Sequence, residues 1–403
     1  MGRLGPFEPR PVLAVAVSGG ADSLALAILA SDWSRQQGGS AIALVFDHGL
    51  RPASANEARI TIERLAGLGI QARLLPLSDL TRGPALAERA RSARYAILTK
   101  ACRNANSVHL LLGHHAADQV ETLAMRVLSG SGPLGLAGMA ALRETASIRL
   151  LRPLLGIEPC GLRRFLIAAG VDWIEDPSNQ DTSALRPRLR QRLAGHAADA
   201  AGLSAAMGAA GRLRSREEVR IAAVLANRTA IFPEGFALLS PGRIDAAALG
   251  ALVRTIGGLG YPPSLGQIAD LAAQPRAATV AGVRAMPAGR FGKGWLILRE
   301  EAAIMAPVQA TPGAVWDNRF RLSGPPGTRN DTTMGKLGPG AARFRHDSDL
   351  PSAVLRTLPA IRHGQRLIAV PHLNYVAEGA EFPLNVLFAP PQAAAGPCFV
   401  PAG

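Results

Sequence analysis

The six residues Ser18-Gly19-Gly20-Ala21-Asp22-Ser23 interrupt an apolar run, Val12 to Leu26, that otherwise reads as buried. Two adjacent glycines permit a tight turn in which an anion can approach the main chain. A helix opening at Asp22 would add unpaired N–H groups and the positive end of its dipole. Ser18 and Ser23 offer hydroxyl donors. Asp22 would repel a bare phosphate, so it is read either as a ligand of a magnesium ion placed between them or as a helix cap. The GxxxxGK[ST] pattern is missing, so this is not a Walker-type loop. An ordinary glycine turn with a serine cap fits the same six residues. A second group lies at Asp118, Glu121 and Thr122, whose i, i+3, i+4 spacing puts them on one helix face, suited to a cation or equally to solvent. His114-His115 with Asp118 imitates metal-ligand spacing, but no further strong ligand accompanies them, which argues against structural zinc. Asp47 and His48 close another apolar run.

These residues need a scaffold that gathers them, and the first half supplies the pattern for one. Strands are predicted at Val12 to Val17, Ala41 to Phe46, Arg73 to Leu75 and Val108 to Leu112, with helices over Asp22 to Gln36, Ala55 to Leu68 and Ala85 to Ala101. This βαβα order predicts an α/β domain built on a parallel sheet with helices on both faces. Ligands of such sheets collect at the carboxyl ends of the strands, where the Ser-Gly-Gly segment, Asp47-His48 and His114-His115 all fall. Further on, a helix is predicted at Pro159 to Ala169, a mostly helical Ala/Arg-rich stretch from Leu185 to Ala226, a helix at Ile244 to Ile256 and a strand at Trp295 to Leu298. Residues Ala306 to Pro312 read as a linker, and the remainder as a small β-containing domain with a strand at Arg366 to Val370. The expected division is 1–205, 206–305 and 306–403.

A chain of 403 residues is long enough for two or three domains. At 48% hydrophobic and 18% charged it reads as globular, neither disordered nor a bundle of membrane helices. No run of about eighteen apolar residues occurs, and the opening MGRLGPFEPRP has no signal-peptide centre, so a cytoplasmic location is expected. Cys102, Cys160 and Cys398 stand far apart without a CxxC pair and are read as packing residues. The net charge is +14, and of 44 basic residues only Lys100, Lys293 and Lys336 are lysine. Arginine's planar fork suits phosphate and base contacts, which points to a nucleic-acid partner; a GC-rich coding sequence would also raise arginine.

SGGADS resembles the SGGxDS signature of the PP-loop ATP pyrophosphatases. Within that group, Phe46-Asp47-His48-Gly49-Leu50-Arg51, Glu88-Arg89-Ala90-Arg91 leading to Arg94-Tyr95, Gly113 to Met139 (GHHAADQVETLAMRVLSGSGPLGLAGM), Leu150 to Leu155 and Asp172 to Asp181 resemble the tRNA(Ile)-lysidine synthetases. The likeness spans roughly the first 190 residues in ordered blocks.

The resemblance implies a PP-loop catalytic domain over 1–205, with two smaller tRNA-binding domains behind it. It implies ligation of lysine to C2 of the wobble cytidine of a CAU-anticodon isoleucine tRNA, with ATP and Mg2+, through an adenylated tRNA. Codon reading would change from AUG to AUA. It assigns ATP to Ser18, Gly19, Gly20, Ala21, Asp22, Ser23, Asp47 and His48, the metal to Asp22, and free lysine to Asp118 and Glu121, with Asp22, Asp118 and Glu121 as the catalytic set. It suggests tRNA contacts at Arg91, Arg94, Arg186 and Arg190, with Arg163 and Arg164 second, and leaves monomer or homodimer open. Two departures stand out: Ala117 replaces one of two consecutive aspartates, and Ser129 replaces a basic residue. A tRNA-binding protein with a decayed site and another PP-loop tRNA-modifying enzyme are the alternatives. A thiolase-type member would call for clustered cysteines, which are absent.

Overall fold

The structure is a computed structural model that describes residues 1–47, 54–76, 86–132, 135–145, 147–175, 188–189, 197–324, 331–380, 385–396 and 399–401; of residues 86–88, 90–92 and 197–201 it describes the backbone only. The described residues gather into two units, Met1–Glu217 with Pro397–Gly403, and Glu218–Gly396.

The first unit is organised by β1 (Val12–Val17), whose last five residues are buried. Neighbours on both sides and helices on both faces leave no polar position in it, which is why it reads as an unbroken VLAVAV. Alternation divides its side chains. Leu13, Val15 and Val17 pack with Leu24, Ala25 and Ala27 of α1 (Ala21–Gln36) on one face. Ala14 and Ala16 join Ile42, Leu44 and Phe46 of β2 (Ser40–Asp47) on the other.

The chain continues through α2 (Ser54–Gly67), β3 (Gln71–Pro76), α3 (Leu86–Asn104), β4 (His109–Leu111) and α4 (Ala116–Leu128), then β5 (Leu142–Glu144), β6 (Arg149–Leu151), α5 (Pro159–Ala168) and the start of α6 (Ala197–Arg228). Strand order is β3-β2-β1-β4-β6-β5, parallel except for the edge strand β5. The order reverses between β1 and β4, so their carboxyl ends frame the crevice in which doubly wound sheets take ligands. The parallel sheet with helices on both faces is the expected one, and the strands and helices read from periodicity lie within a few residues of their predicted ends. Cys102 is buried, and burial pushes its thiol up to about 12, whereas Cys160 is exposed, against the packing role expected of it; Cys398 lies outside the described residues.

The second unit carries β7 (Thr229–Ile231), β8 (Phe236–Leu239), α7 (Ala246–Gly257), α8 (Leu265–Ala273), β9 (Ala278–Val280), β10 (Val283–Pro287) and β11 (Trp295–Arg299). The five strands form one sheet in the order β7-β8-β11-β10-β9, with every adjacent pair antiparallel. Helix α7 is capped by Asp245, which accepts from the Ala248 amide at 3.0 Å, and stops at Gly258 in the left-handed region.

The same unit continues with β12 (Val308–Gln309), β13 (Val315–Trp316), β14 (Phe320–Ser323), β15 (Thr332–Lys336), α9 (Ser352–Leu355), β16 (Pro359–His363), β17 (Arg366–Val370), β18 (Tyr375–Val376) and β19 (Asn385–Phe388). They form sheets of order β12-β15-β16-β17-β18 and β13-β14-β19. Part of the stretch read as a linker is therefore strand: Val308 and Gln309 pair with Met334 and Thr333. Among the described residues no helix is long and apolar enough to cross a membrane.

Candidate functional site

The loop after β1 is shaped by contacts inside and behind it. Gly19 sits at φ +86°, and a Cβ there would stand 2.5 Å from Thr61 Oγ1 of α2, so only glycine fits. Its carbonyl accepts from the Ile174 amide at 2.9 Å, which fastens the loop to the Asp172–Glu175 segment. The Ser23 hydroxyl is buried; it accepts from the Ser18 amide at 3.1 Å and donates to the Gly20 carbonyl at 3.0 Å. Ser23 thus organises the turn, while Ser18 remains exposed. Helix α1 starts at Ala21 with Gly20 as N-cap and no side-chain cap bond, so the capping role weighed for Asp22 is not the one it plays. Its first-turn amides are those a helix leaves without carbonyl partners, and they suit an anion.

The second wall comes from the end of β4. Gly113 lies so near the first turn of α1 that a Cβ would be 3.2 Å from Ser23 Cα, which brings the two helix starts together. His115 is the N-cap of α4, and its amide donates to Asp118 Oδ2 at 3.1 Å in a capping box. The His115 ring, itself buried, places Nε2 3.5 Å from Asp22 Oδ2 and 3.6 Å from Asp118 Oδ2. One imidazole therefore spans the carboxylates that open α1 and α4. Asp118, Glu121 and Thr122 do share a face, and it is turned inward: Glu121 is 2% exposed and Thr122 is buried. Gln119, buried beside them, exchanges two hydrogen bonds with the Met139 backbone, at 3.0 and 2.7 Å.

Of the other expected site residues, Asp47 lies at the carboxyl end of β2 and accepts from Ser54 Oγ at 2.6 Å. Arg94 of α3 stacks its guanidinium 5.0 Å from the Phe46 ring centroid, at the same end of the sheet. Arg163 and Arg164 are exposed on α5. His48, Arg186 and Arg190 lie outside the described residues, as does the side chain of Arg91. The geometry thus gathers Ser18 to Ser23, His115, Asp118 and Glu121 around the β1/β4 crevice and puts Asp47 and Arg94 at the next strand end. Sequence reasoning missed the bridging part of His115, the close fits at Gly19 and Gly113 and the tie from Ile174. The GHH triplet at a strand end was the one signal available for the first.

The arrangement pairs an anion-accepting turn with inward carboxylates that can hold a cation. Among the described residues no three His, Cys, Asp or Glu side chains are grouped to enclose a metal. A magnesium ion keeps several waters and takes one or two carboxylates plus phosphate oxygens. Asp22, about one-third exposed, offers such a hard oxygen donor.

A family model described as a PP-loop domain matches residues 4–197. The tRNA(Ile)-lysidine synthase of Ruegeria pomeroyi is 36% identical over 383 residues, covering 90% of this chain and 89% of that protein. That of Bradyrhizobium diazoefficiens is 37% identical over 306 residues, covering 70% and 82%. Among solved structures, the U34-tRNA thiolase NcsA from Methanococcus maripaludis is similar over 53% of this chain and 76% of that one, with a TM-score of 0.44 and 18% identity. The chain belongs to the tRNA(Ile)-lysidine synthase family.

Proposed function

We propose that this protein forms lysidine on a tRNA: it ligates free lysine to C2 of the wobble cytidine of a CAU-anticodon isoleucine tRNA at the expense of ATP, in the cytoplasm, where that tRNA is found. The observation that carries the reading is the meeting of α1 and α4 at the β1/β4 crevice, with the glycine turn after β1 on one side and Asp118 and Glu121 on the other.

The cytidine C2 oxygen is a poor leaving group until it is esterified. Its attack on the α-phosphorus of ATP forms a C2-O-AMP ester and releases pyrophosphate. The ε-amine of lysine then bonds to C2, AMP leaves with the oxygen, and the amine gives up its protons. For the first step this chain supplies preorganised donors: the amides of Gly19, Gly20 and the first turn of α1, with the Ser18 hydroxyl. Magnesium, held by Asp22, would neutralise phosphate charge. For the second step Asp118 and Glu121 bind the lysine ammonium and receive a proton from it. Their placement away from bulk water strengthens the attraction for a cation. Asp47 and Arg94 lie where the nucleoside end of ATP or the target base would be met. The arginines Arg91, Arg163, Arg164, Arg186 and Arg190 serve the tRNA phosphates, and residues 206–403 extend that grip.

Radiolabelled lysine incubated with the protein, ATP and a CAU-anticodon isoleucine tRNA transcript tests the reading. Incorporation that depends on ATP and yields AMP and pyrophosphate is the expected result. RNA binding without incorporation would mark a decayed site and overturn it.

A further inference from the structure

The last described residues return to the first unit although the chain has passed through the second. Phe399 is 3% exposed and belongs to the first unit with Val400 and Pro401. The Ala141 amide donates to the Val400 carbonyl at 2.8 Å. On α6, Met207, Gly211 and Arg214 follow one another at helical spacing and share a face. Arg214 lies 4.7 Å from the centroid of the Phe399 ring, and a Cβ on Gly211 would come within 3.1 Å of both Phe399 and Pro401. Met207 meets a different segment: a Cβ on Gly138 would stand 2.5 Å from its sulfur and 2.7 Å from Gln119 Oε1. Residues 138–141 are thus held between this face of α6, the 399–401 segment and α4. Arg126 of α4 donates to the Gly138 carbonyl at 2.7 Å, and Gln119 makes its two bonds to Met139.

We propose that Phe399–Pro401 is a positioning strap: it presses the Gly138–Ala141 segment against Gln119 and Arg126 and so sets the helix that presents Asp118 and Glu121. The proposal rests on the reading that these two carboxylates take up lysine. No strap residue touches a reacting atom; the effect passes through Met139 and Gln119. Two of its contacts are with backbone or with a glycine, so identity matters most at Phe399 and Gly211.

The test compares Phe399→Ala, Gly211→Leu and Phe399→Leu with the unchanged protein. Gly211→Leu fills the space of the Phe399 ring while improving helix propensity, so displacement of the strap is separated from loss of a core side chain. Phe399→Leu retains an apolar group of similar reach. In Phe399→Ala and Gly211→Leu, amide exchange at Met139 and Ala141 is expected to quicken about tenfold. The lysine KM should rise about fivefold or more with ATP affinity unchanged, and Phe399→Leu should restore both values. Unchanged exchange overturns the proposal. So does a parallel loss of lysine and ATP binding with a lowered unfolding midpoint, which would mean general loosening. If the unchanged protein incorporates no lysine, the functional reading fails by itself, and the exchange rates still judge the strap.

Discussion

Asp22 and Asp118 open different helices, far apart in sequence, yet both face His115 Nε2 at 3.5 and 3.6 Å. The division of labour between the two helix starts can be separated by substitution. Asp118→Asn removes the charge proposed to draw the lysine ammonium while leaving the turn after β1 intact. The expected outcome is a rise of about tenfold to a hundredfold in lysine KM with ATP affinity within about twofold, measured by steady-state kinetics and calorimetry. Gly19→Ala should act the other way. Left-handed backbone and the 2.5 Å approach to Thr61 make any Cβ strained there, at a cost of about 1–3 kcal/mol, and the loop must shift. ATP affinity should fall with it, and calorimetry with a denaturant curve reads both effects. Much of this was legible: two glycines after a buried strand, and carboxylates at i and i+3. The inward turn of Glu121, the bridging imidazole and the fit of Gly19 against Thr61 were not, because each depends on an element brought in from elsewhere in the chain.

At the scale of elements, β1, β2 and β4 were readable because burial on both faces writes itself as a continuous apolar run, whereas the three-residue β5 and β6 were not read. The second unit hides most of its strands, although β11 and β17 were legible. Many are two to five residues long, as at β12, β13 and β18, and prolines and glycines punctuate them, so too few positions exist for a period to show. A buried charge cluster gave no signal either. Asp317, with φ 51°, receives Arg319 Nε at 2.7 Å and Arg299 Nε at 3.2 Å, all but out of contact with water. Burial pushes the Arg319 guanidinium down to about 10 even against the pull of Asp317. Asp317→Ala would leave two buried cations facing each other and should cost about 3–5 kcal/mol, read as a lowered unfolding midpoint.

A second element-scale prediction concerns acid. Hydrogen bonds from Arg356, at 2.5 and 2.9 Å, hold the Glu301 carboxyl below the usual glutamate range, with Lys336 adding to the effect. A carboxyl lowered on folding stabilises at pH values above its unfolded value, and that contribution is lost as pH falls through the folded value. Glu301→Gln should therefore unfold more readily than the unchanged protein at neutral pH. The two unfolding midpoints should meet once pH drops below the usual carboxylate range; a constant gap would contradict the ion pair as its source.

For the whole molecule, the net charge of +14, almost all its basic side chains being arginine, fits a protein whose substrate is a polyanion. Charge alone selects no reaction. In the proposed reading the crevice does, by setting an anion-accepting turn beside carboxylates suited to an amine, since a base that must be activated before an amine can displace its oxygen requires both. In the proposed reaction ATP is cut between the α- and β-phosphates, with AMP passing to the tRNA before lysine acts. Incubation of the protein and CAU-anticodon transcript with α-labelled or γ-labelled ATP, in the absence of lysine, tests it most directly. Label should reach the tRNA from α-labelled ATP alone and be released as AMP when lysine is added. No label from the α-phosphate, or transfer from the γ-phosphate, would contradict it.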